Sequence, residues 1–172
     1  MARWLPMLRH TVLPTPVDDL LLVADGDALI RVVFADHTVS KSARGPEAAD
    51  DDAVLQAATQ QLIEYFDRSR TVFDLPLRTD GNEFDTAVWR ALVDIEYGTT
   101  VTYGELAGRL GDPRFAQRIG QSVGRNPIAV VLPCHRVVGA DGTLTGFGGG
   151  LERKRILLDL EEPPADVGMR LF

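Results

Sequence analysis

The chain has 172 residues, 45% of them apolar, enough to fill one compact domain or two small ones that share an interface. No run approaches the roughly 18 apolar residues of a membrane span, Met1 to His10 is too broken for a secretory signal, and a single cysteine excludes an internal disulfide, so a soluble protein of the reducing cytoplasm is expected. A net charge of −7 argues against a nucleic-acid partner, but the charge is uneven: Asp18, Asp19, Asp25, Asp27 and Asp50 to Asp52 load the first half, whereas from Tyr103 to Arg155 eight basic residues stand against four acidic ones and predict a local basic face.

Leu20 to Val23 and Leu29 to Phe34 are apolar runs separated by Asp25-Gly26-Asp27, which predicts a β-hairpin. Gly45-Pro46 breaks the chain. From Asp50 to Phe66, apolar residues at Val54, Ala57, Ala58, Leu62, Ile63 and Phe66 recur at helical spacing behind acids that suit a helix N-terminus. Val72 to Leu77 reads as a returning strand. This half, residues 1–78, is expected to be a small α/β layer with no chemical constellation of its own, bracing the rest.

At Thr79-Asp80-Gly81-Asn82 the composition shifts. A helix follows with Phe84, Val88, Leu92 and Val93 on its apolar side and Trp89 in the core, and Tyr97-Gly98 ends it. Thr102 and Glu105 have capping-box spacing for a second helix; Gly111-Asp112-Pro113 turns the chain; a third helix runs from Arg114 to Val123 and stops at Gly124. Two short helices about such a turn are helix-turn-helix-like, a pattern too common to indicate DNA by itself. Val130 to Leu132 reads as the end of a buried strand, closed by Pro133, which stops regular hydrogen bonding and projects the next side chain. Leu151 to Glu161 predicts a last helix with Ile156, Leu157 and Leu160 facing inward. Residues 163–172 form a tail with two prolines and few anchors.

The side chain after Pro133 is the only cysteine, Cys134. A thiolate, not a thiol, attacks carbon well, so a reactive cysteine needs a base or a positive field, and His135 and Arg136 could supply one each. An isolated cysteine is more often a small inert hydrophobe. Here it stands within Pro133-Cys134-His135-Arg136-Val137, preceded by Asn126-Pro127 and followed by Gly146-Phe147-Gly148-Gly149-Gly150. With these motifs the chain from about Phe84 to Glu161 resembles the O6-alkylguanine-DNA alkyltransferases, also called methylated-DNA-protein-cysteine methyltransferases; the likeness is weaker in the N-terminal half.

The resemblance implies an α/β N-terminal domain with a small antiparallel sheet, then a mainly helical C-terminal domain, 79–162, containing a helix-turn-helix-like (winged-helix-like) DNA-binding unit. It implies single-turnover transfer of an alkyl group from the O6 of alkylguanine in duplex DNA to Cys134, with the O4 of alkylthymine as a further candidate. Glu161 would orient His135, and His135 would take the thiol proton through a water. Tyr103 would assist extrusion of the base and give a proton to the departing guanine. Asn126 matches a hinge asparagine that ties the recognition helix to the turn at Cys134.

On the DNA side the chain departs from the family. The position of the arginine that fills the gap left by the flipped nucleotide is Gln117, followed by Arg118, and small residues are replaced by Phe115, Arg118 and Gln121. A residue one step along a helix points about 100° away, so Gln117 is expected to be the plug and Arg118 a phosphate contact, with Arg114 and Arg136 as further DNA contacts. Phe147, where the family often has tyrosine, would wall the base pocket. Backbone groups of Val137 and Gly148 would read the guanine edge, and Lys154 would lie near the site. No cofactor is implied, and no metal: His10, His37, Cys134 and His135 lack ligand spacing, and no cysteines stand near the N-terminus to hold the structural zinc of some relatives. The partner would be double-stranded DNA, bound by a protein monomeric in solution, with cooperative assembly on DNA left open. A cysteine-histidine-glutamate hydrolase and a damage-binding module are the competing readings; in the latter, tryptophan typically replaces the cysteine.

Overall fold

Five consecutive buried residues, Leu20 to Ala24, make β2 (Leu20–Asp25) the centre of the N-terminal layer. In the computed structural model, which describes residues 7–36 and 39–163, β2 pairs antiparallel with β1 (Leu8–Leu13) on one side and β3 (Ala28–Phe34) on the other. The expected hairpin is present, with Asp25 opposite Ala28 across a two-residue turn. β1 was not expected, because Arg9 and His10 interrupt its apolar pattern; Arg9 pairs with Asp52 and donates to the Gly26 carbonyl at 2.8 Å. A one-turn helix, α1 (Lys41–Arg44), ends at Gly45. That position has a φ of 70°, and a Cβ there would meet the Leu8 backbone, so only glycine fits.

α2 (Ala53–Phe66) starts later than the acidic run suggested, because Asp52 is its N-cap and accepts from the Leu55 amide at 3.0 Å. Its buried face is Leu55, Ala58, Leu62 and Tyr65, rotated from the expected stripe so that Ile63 is exposed. The expected strand from Val72 to Leu77 is absent. Leu77 makes one isolated bridge to Leu29, and Pro76, lacking an N–H, contributes only its carbonyl to the Leu29 amide.

α3 (Glu83–Val93) is capped by Asn82 and buries Val88, Trp89 and Leu92, and the Trp89 indole donates to the Ser122 carbonyl at 2.9 Å. Val93, expected on the apolar side, is exposed. The capping box of α4 (Tyr103–Arg109) is formed as expected. A 3₁₀ turn (Pro113–Phe115) then leads into α5 (Ala116–Gly124). Buried Asp85 of α3 joins these helices, accepting from the Ser122 hydroxyl at 2.5 Å and from Arg125 at 2.7 Å. β4 (Val101–Thr102) runs parallel to β5 (Val137–Val138), which sets the Cys134 region beside α4. α6 (Leu151–Glu161) buries Lys154, Leu157 and Glu161, whereas Ile156, expected inward, is exposed.

An α/β layer with a three-stranded antiparallel sheet is thus followed by a mainly helical half built on a helix-turn-helix pair. One apolar core runs through both, joining Leu22, Val32 and Leu62 to Leu106, Ile119 and Leu157. The tail beyond Pro163, and His37, lie outside the described residues.

Candidate active site

The segment before Cys134 is a buried turn rather than the expected strand end. Ile128 bridges Val32; the Val131 amide then donates back to the Ala129 carbonyl at 2.8 Å around Val130, whose φ of 70° is strained for a β-branched residue. The Cys134 amide repeats the motif, donating to the Leu132 carbonyl at 2.8 Å around Pro133, with φ −79° and ψ 64°. The apolar run announced burial, which a packed turn satisfies as well as a strand. Asn126 holds the loop together: its Nδ2 donates to Leu132 and its Oδ1 accepts from Ile128. A 3₁₀ turn (Cys134–Arg136) follows, carrying thiol, imidazole and guanidinium in sequence.

Glu161, at the end of α6, gathers the turn. Its Oε1 lies 2.7 Å from His135 Nε2, 2.9 Å from Arg136 Nη2 and 2.7 Å from the Tyr65 hydroxyl; its Oε2 accepts from Arg136 Nε at 2.8 Å. Burial pushes the Glu161 carboxyl up, but the hydrogen bonds from His135 and Arg136 outweigh it and hold the group down at about 2. With the carboxylate ionised, His135 Nε2 carries a proton and Nδ1 is left as the basic atom. Nδ1 is buried and has no hydrogen-bond partner among the described residues. Burial lowers the His135 imidazole, against the pull of Glu161, so it rests neutral and able to accept a proton. Burial likewise raises the Cys134 thiol, opposed by a hydrogen bond from Asn126 and the charge of Lys154.

Two residues depart from the sequence reading here. Arg136, expected to touch DNA, is only 5% exposed: its guanidinium is spent on Glu161 and on the Ile95 carbonyl, because a buried carboxylate needs a buried cation. Tyr65 was missed altogether. It lies in the half thought to carry no chemistry, and its place on a helical apolar stripe marks it only as core.

Cys134 opens onto a cavity of about 90 Å³ shared with Phe34, Val123, Asn126, Phe147 and Gly148. Phe34 of β3 meets Phe147 edge to face, with ring centres 6.1 Å apart, so the N-terminal sheet supplies a second aromatic wall. The Tyr103 hydroxyl points at the Thr145 and Gly146 carbonyls, 3.0 and 3.2 Å away, on the glycine-rich lid. Lys154 is fully buried and donates to Val137 at 2.5 Å and to Thr145 at 2.9 Å, clipping that lid to β5. The Lys154 bond uses one lone pair of the Val137 carbonyl, and Gly148 lines the cavity.

Residues 8–79 match the sequence model described as 6-O-methylguanine DNA methyltransferase, ribonuclease-like domain, and residues 83–163 match the one for its DNA binding domain. The chain belongs to the 6-O-methylguanine DNA methyltransferase family. It is 40% identical over 158 residues to the methylated-DNA--protein-cysteine methyltransferase of Haemophilus influenzae, covering 91% of this chain and 88% of that one. Over 166 residues it is 39% identical to the Mycobacterium tuberculosis protein of the same name, covering 96% and 99%. The crystal structure of the M. tuberculosis O6-methylguanine methyltransferase superposes with a TM-score of 0.82 over 93% of this chain and 97% of that one, at 40% identity. The M. tuberculosis structure in complex with DNA gives 0.81 at 39% identity, over 89% and 92%.

In this methyltransferase, Gln117, Arg118 and Gln121 lie exposed on α5, the second helix of the pair. The Arg118 guanidinium stacks 3.7 Å above the Phe84 ring, and Phe115 packs edge-on against the same ring. Arg114 is exposed and paired with Asp112. The basic face is narrower than the charge count predicted. Arg136 and Lys154 are buried, Arg125 serves Asp85, and Arg153 reaches across to Asp18 and Asp36, leaving Arg109, Arg118 and Arg155, with the Asp112-paired Arg114, as exposed members.

Proposed function

We propose that this chain repairs double-stranded DNA by moving an alkyl group from the O6 of guanine to Sγ of Cys134, once per molecule. The observation that carries the reading is a lone thiol at a cavity wall, next in the chain to an imidazole whose far nitrogen is held by an ionised, buried Glu161. His135 Nδ1 takes the thiol proton through a water. The thiolate attacks the alkyl carbon, the carbon–oxygen bond breaks, and the electron pair leaves on guanine O6. Guanine takes up a proton, given by Tyr103 and replaced from the imidazolium, so the net exchange is alkyl for proton. The thioether formed is no leaving group for water, and the protein is consumed.

O6 is out of reach inside a stacked duplex, so the nucleotide must be flipped out. Gln117 fills the gap, Arg118 contacts phosphate, and Asn126 keeps α5 in register with the nucleophile turn. Phe147, Gly148 and Phe34 hold the flipped base. Division of labour at residue 79 fits the two matched sequence models: residues 1–78 brace the site and lend it the Phe34 wall, and 79–162 bind DNA and carry the thiol, imidazole and carboxylate. All the reacting groups come from one chain, which supports action as a monomer.

Intact-mass measurement after incubation with an O6-methylguanine duplex tests this. A stoichiometric gain of one CH₂ on Cys134, absent in Cys134→Ser, is expected. Demethylation with turnover and no adduct would mean a hydrolase, and binding with neither would mean a damage sensor.

A further inference from the structure

The Glu161 oxygen that holds His135 also accepts from a phenol of the N-terminal half. We propose that Tyr65 is a positioning residue for alkyl transfer: its hydroxyl, delivered by α2 from the N-terminal half, competes with His135 for Glu161 Oε1 and so sets how strong a base the imidazole is. This rests on the reading of His135 as the base for Cys134.

The geometry leaves the hydroxyl little else to do. Tyr65 is fully buried, its oxygen 2.7 Å from Glu161 Oε1 and 3.5 Å from His135 Nε2. Its ring is fixed among Phe66, Phe73 and Tyr97, with centres 5.2, 5.5 and 6.1 Å away, so the hydroxyl cannot swing off its acceptor. Burial and the adjacent carboxylate push the phenol far up, so it stays a donor at every working pH. The groups acting on His135 are Glu161 and Lys154 from α6, Arg136 beside it and Tyr65 from α2; those acting on Tyr65 are Glu161, Arg136 and Tyr97. Each donor to Oε1 withdraws charge that the carboxylate would otherwise direct to the imidazole. Without the phenol, Glu161 binds His135 more strongly, the imidazole holds its proton to higher pH, and less neutral base is available to the thiol.

The test compares wild type, Tyr65→Phe and the protein with ortho-fluorotyrosine at position 65, a stronger donor of almost the same shape. Nitrogen NMR of the imidazole gives the His135 titration midpoint, and single-turnover methyl transfer gives the acid limb of the rate profile. Tyr65→Phe is expected to move both upward by about half a pH unit or more, a fraction of one charge-assisted hydrogen bond felt through the shared oxygen, and fluorotyrosine to move both downward. Midpoints that stay put, or that move the same way in the two proteins, would show the phenol to be packing only and overturn the proposal. If Tyr65→Phe fails to fold, the direction of the fluorotyrosine shift decides. A wild type that forms no S-methylcysteine at any pH sinks the alkyl-transfer reading instead, and the NMR midpoints still judge Tyr65.

Discussion

Asn126 Nδ2 donates to the Leu132 carbonyl at 2.7 Å while its Oδ1 accepts from the Ile128 amide at 3.0 Å, so one side chain closes the turn that carries Cys134. Asn126→Ala leaves the Ile128 amide of a buried loop unpaired, at about 1–3 kcal/mol, strips the Leu132 carbonyl to its one remaining donor, the Cys134 amide, and removes the hydrogen bond that opposes the rise of the thiol. A lower Tm and methyl transfer slowed by roughly tenfold or more are expected, since each 1.4 kcal/mol is a factor of ten. Asn126→Asp keeps the shape but turns an oxygen toward the Leu132 carbonyl and a charge toward the thiol. Its transfer rate is expected to fall further than its Tm, which melting curves and single-turnover adduct formation will compare.

The Glu161 cluster makes stability depend on acid. The folded-state value of about 2 lies below the 4.5 of an ordinary glutamate, so the stabilisation is fully present above pH 4.5 and is lost as the pH falls toward 2. A difference of that size is worth on the order of 3 kcal/mol. Urea unfolding at pH 7 and at pH 3 is expected to show the loss. Glu161→Gln is expected to flatten that part of the profile, lower stability at pH 7 by roughly 3–5 kcal/mol because Arg136 is left buried without its anion, and abolish methyl transfer. An unchanged acid profile in Glu161→Gln would refute the assignment.

What the sequence made legible, and what it hid, follows from the kind of signal each residue carries. Helices α3 to α6 were readable because caps such as Thr102 with Glu105 and breakers such as Pro113 act locally. The family motif around Cys134 brought His135 and Glu161 together across 26 positions, which no periodicity could do. The turn at Val130 was hidden because hydrophobicity reports burial and not backbone angle. Arg136 was misplaced since an arginine paired inside and one facing phosphate look alike in a string, and only the Glu161 contact separates them. Tyr65 and Phe34 were unreadable for the opposite reason: their rings fit an apolar pattern, and their role depends on what the second half of the chain packs against them.

Adjacent positions on α5 are expected to fail differently. Arg118 is exposed and anchored over Phe84, which holds its charge near the helix surface without neutralising it. Arg118→Ala is expected to weaken binding to damaged and undamaged duplex alike and to reduce the salt slope by about one. Gln117→Ala is expected to leave undamaged-duplex affinity nearly unchanged and to slow methyl transfer, because a plug acts only on the flipped state. Fluorescence anisotropy at several salt concentrations, with transfer rates at saturating DNA, separates the two. The assignment is wrong if Arg118→Ala abolishes both binding and repair while Gln117→Ala alters neither.

Gly149 is where the lid depends on the N-terminal sheet. A Cβ there would come within 2.2 Å of Phe34 Cε2 and 2.8 Å of Phe147 Cε1. Phe34 cannot retreat: it is 2% exposed in the core, with the Arg153 guanidinium 4.4 Å over its ring. Gly149→Ala therefore has to lift the lid or distort the sheet, an overpacking of about 1–3 kcal/mol. Slower methyl transfer and a modest fall in Tm are expected. Phe34→Ala removes the obstacle at the cost of a core cavity, so the pair should be strongly coupled, the double variant losing less than the sum of the singles. A double-mutant cycle in both Tm and transfer rate measures this, and additive losses would mean that lid and sheet act independently.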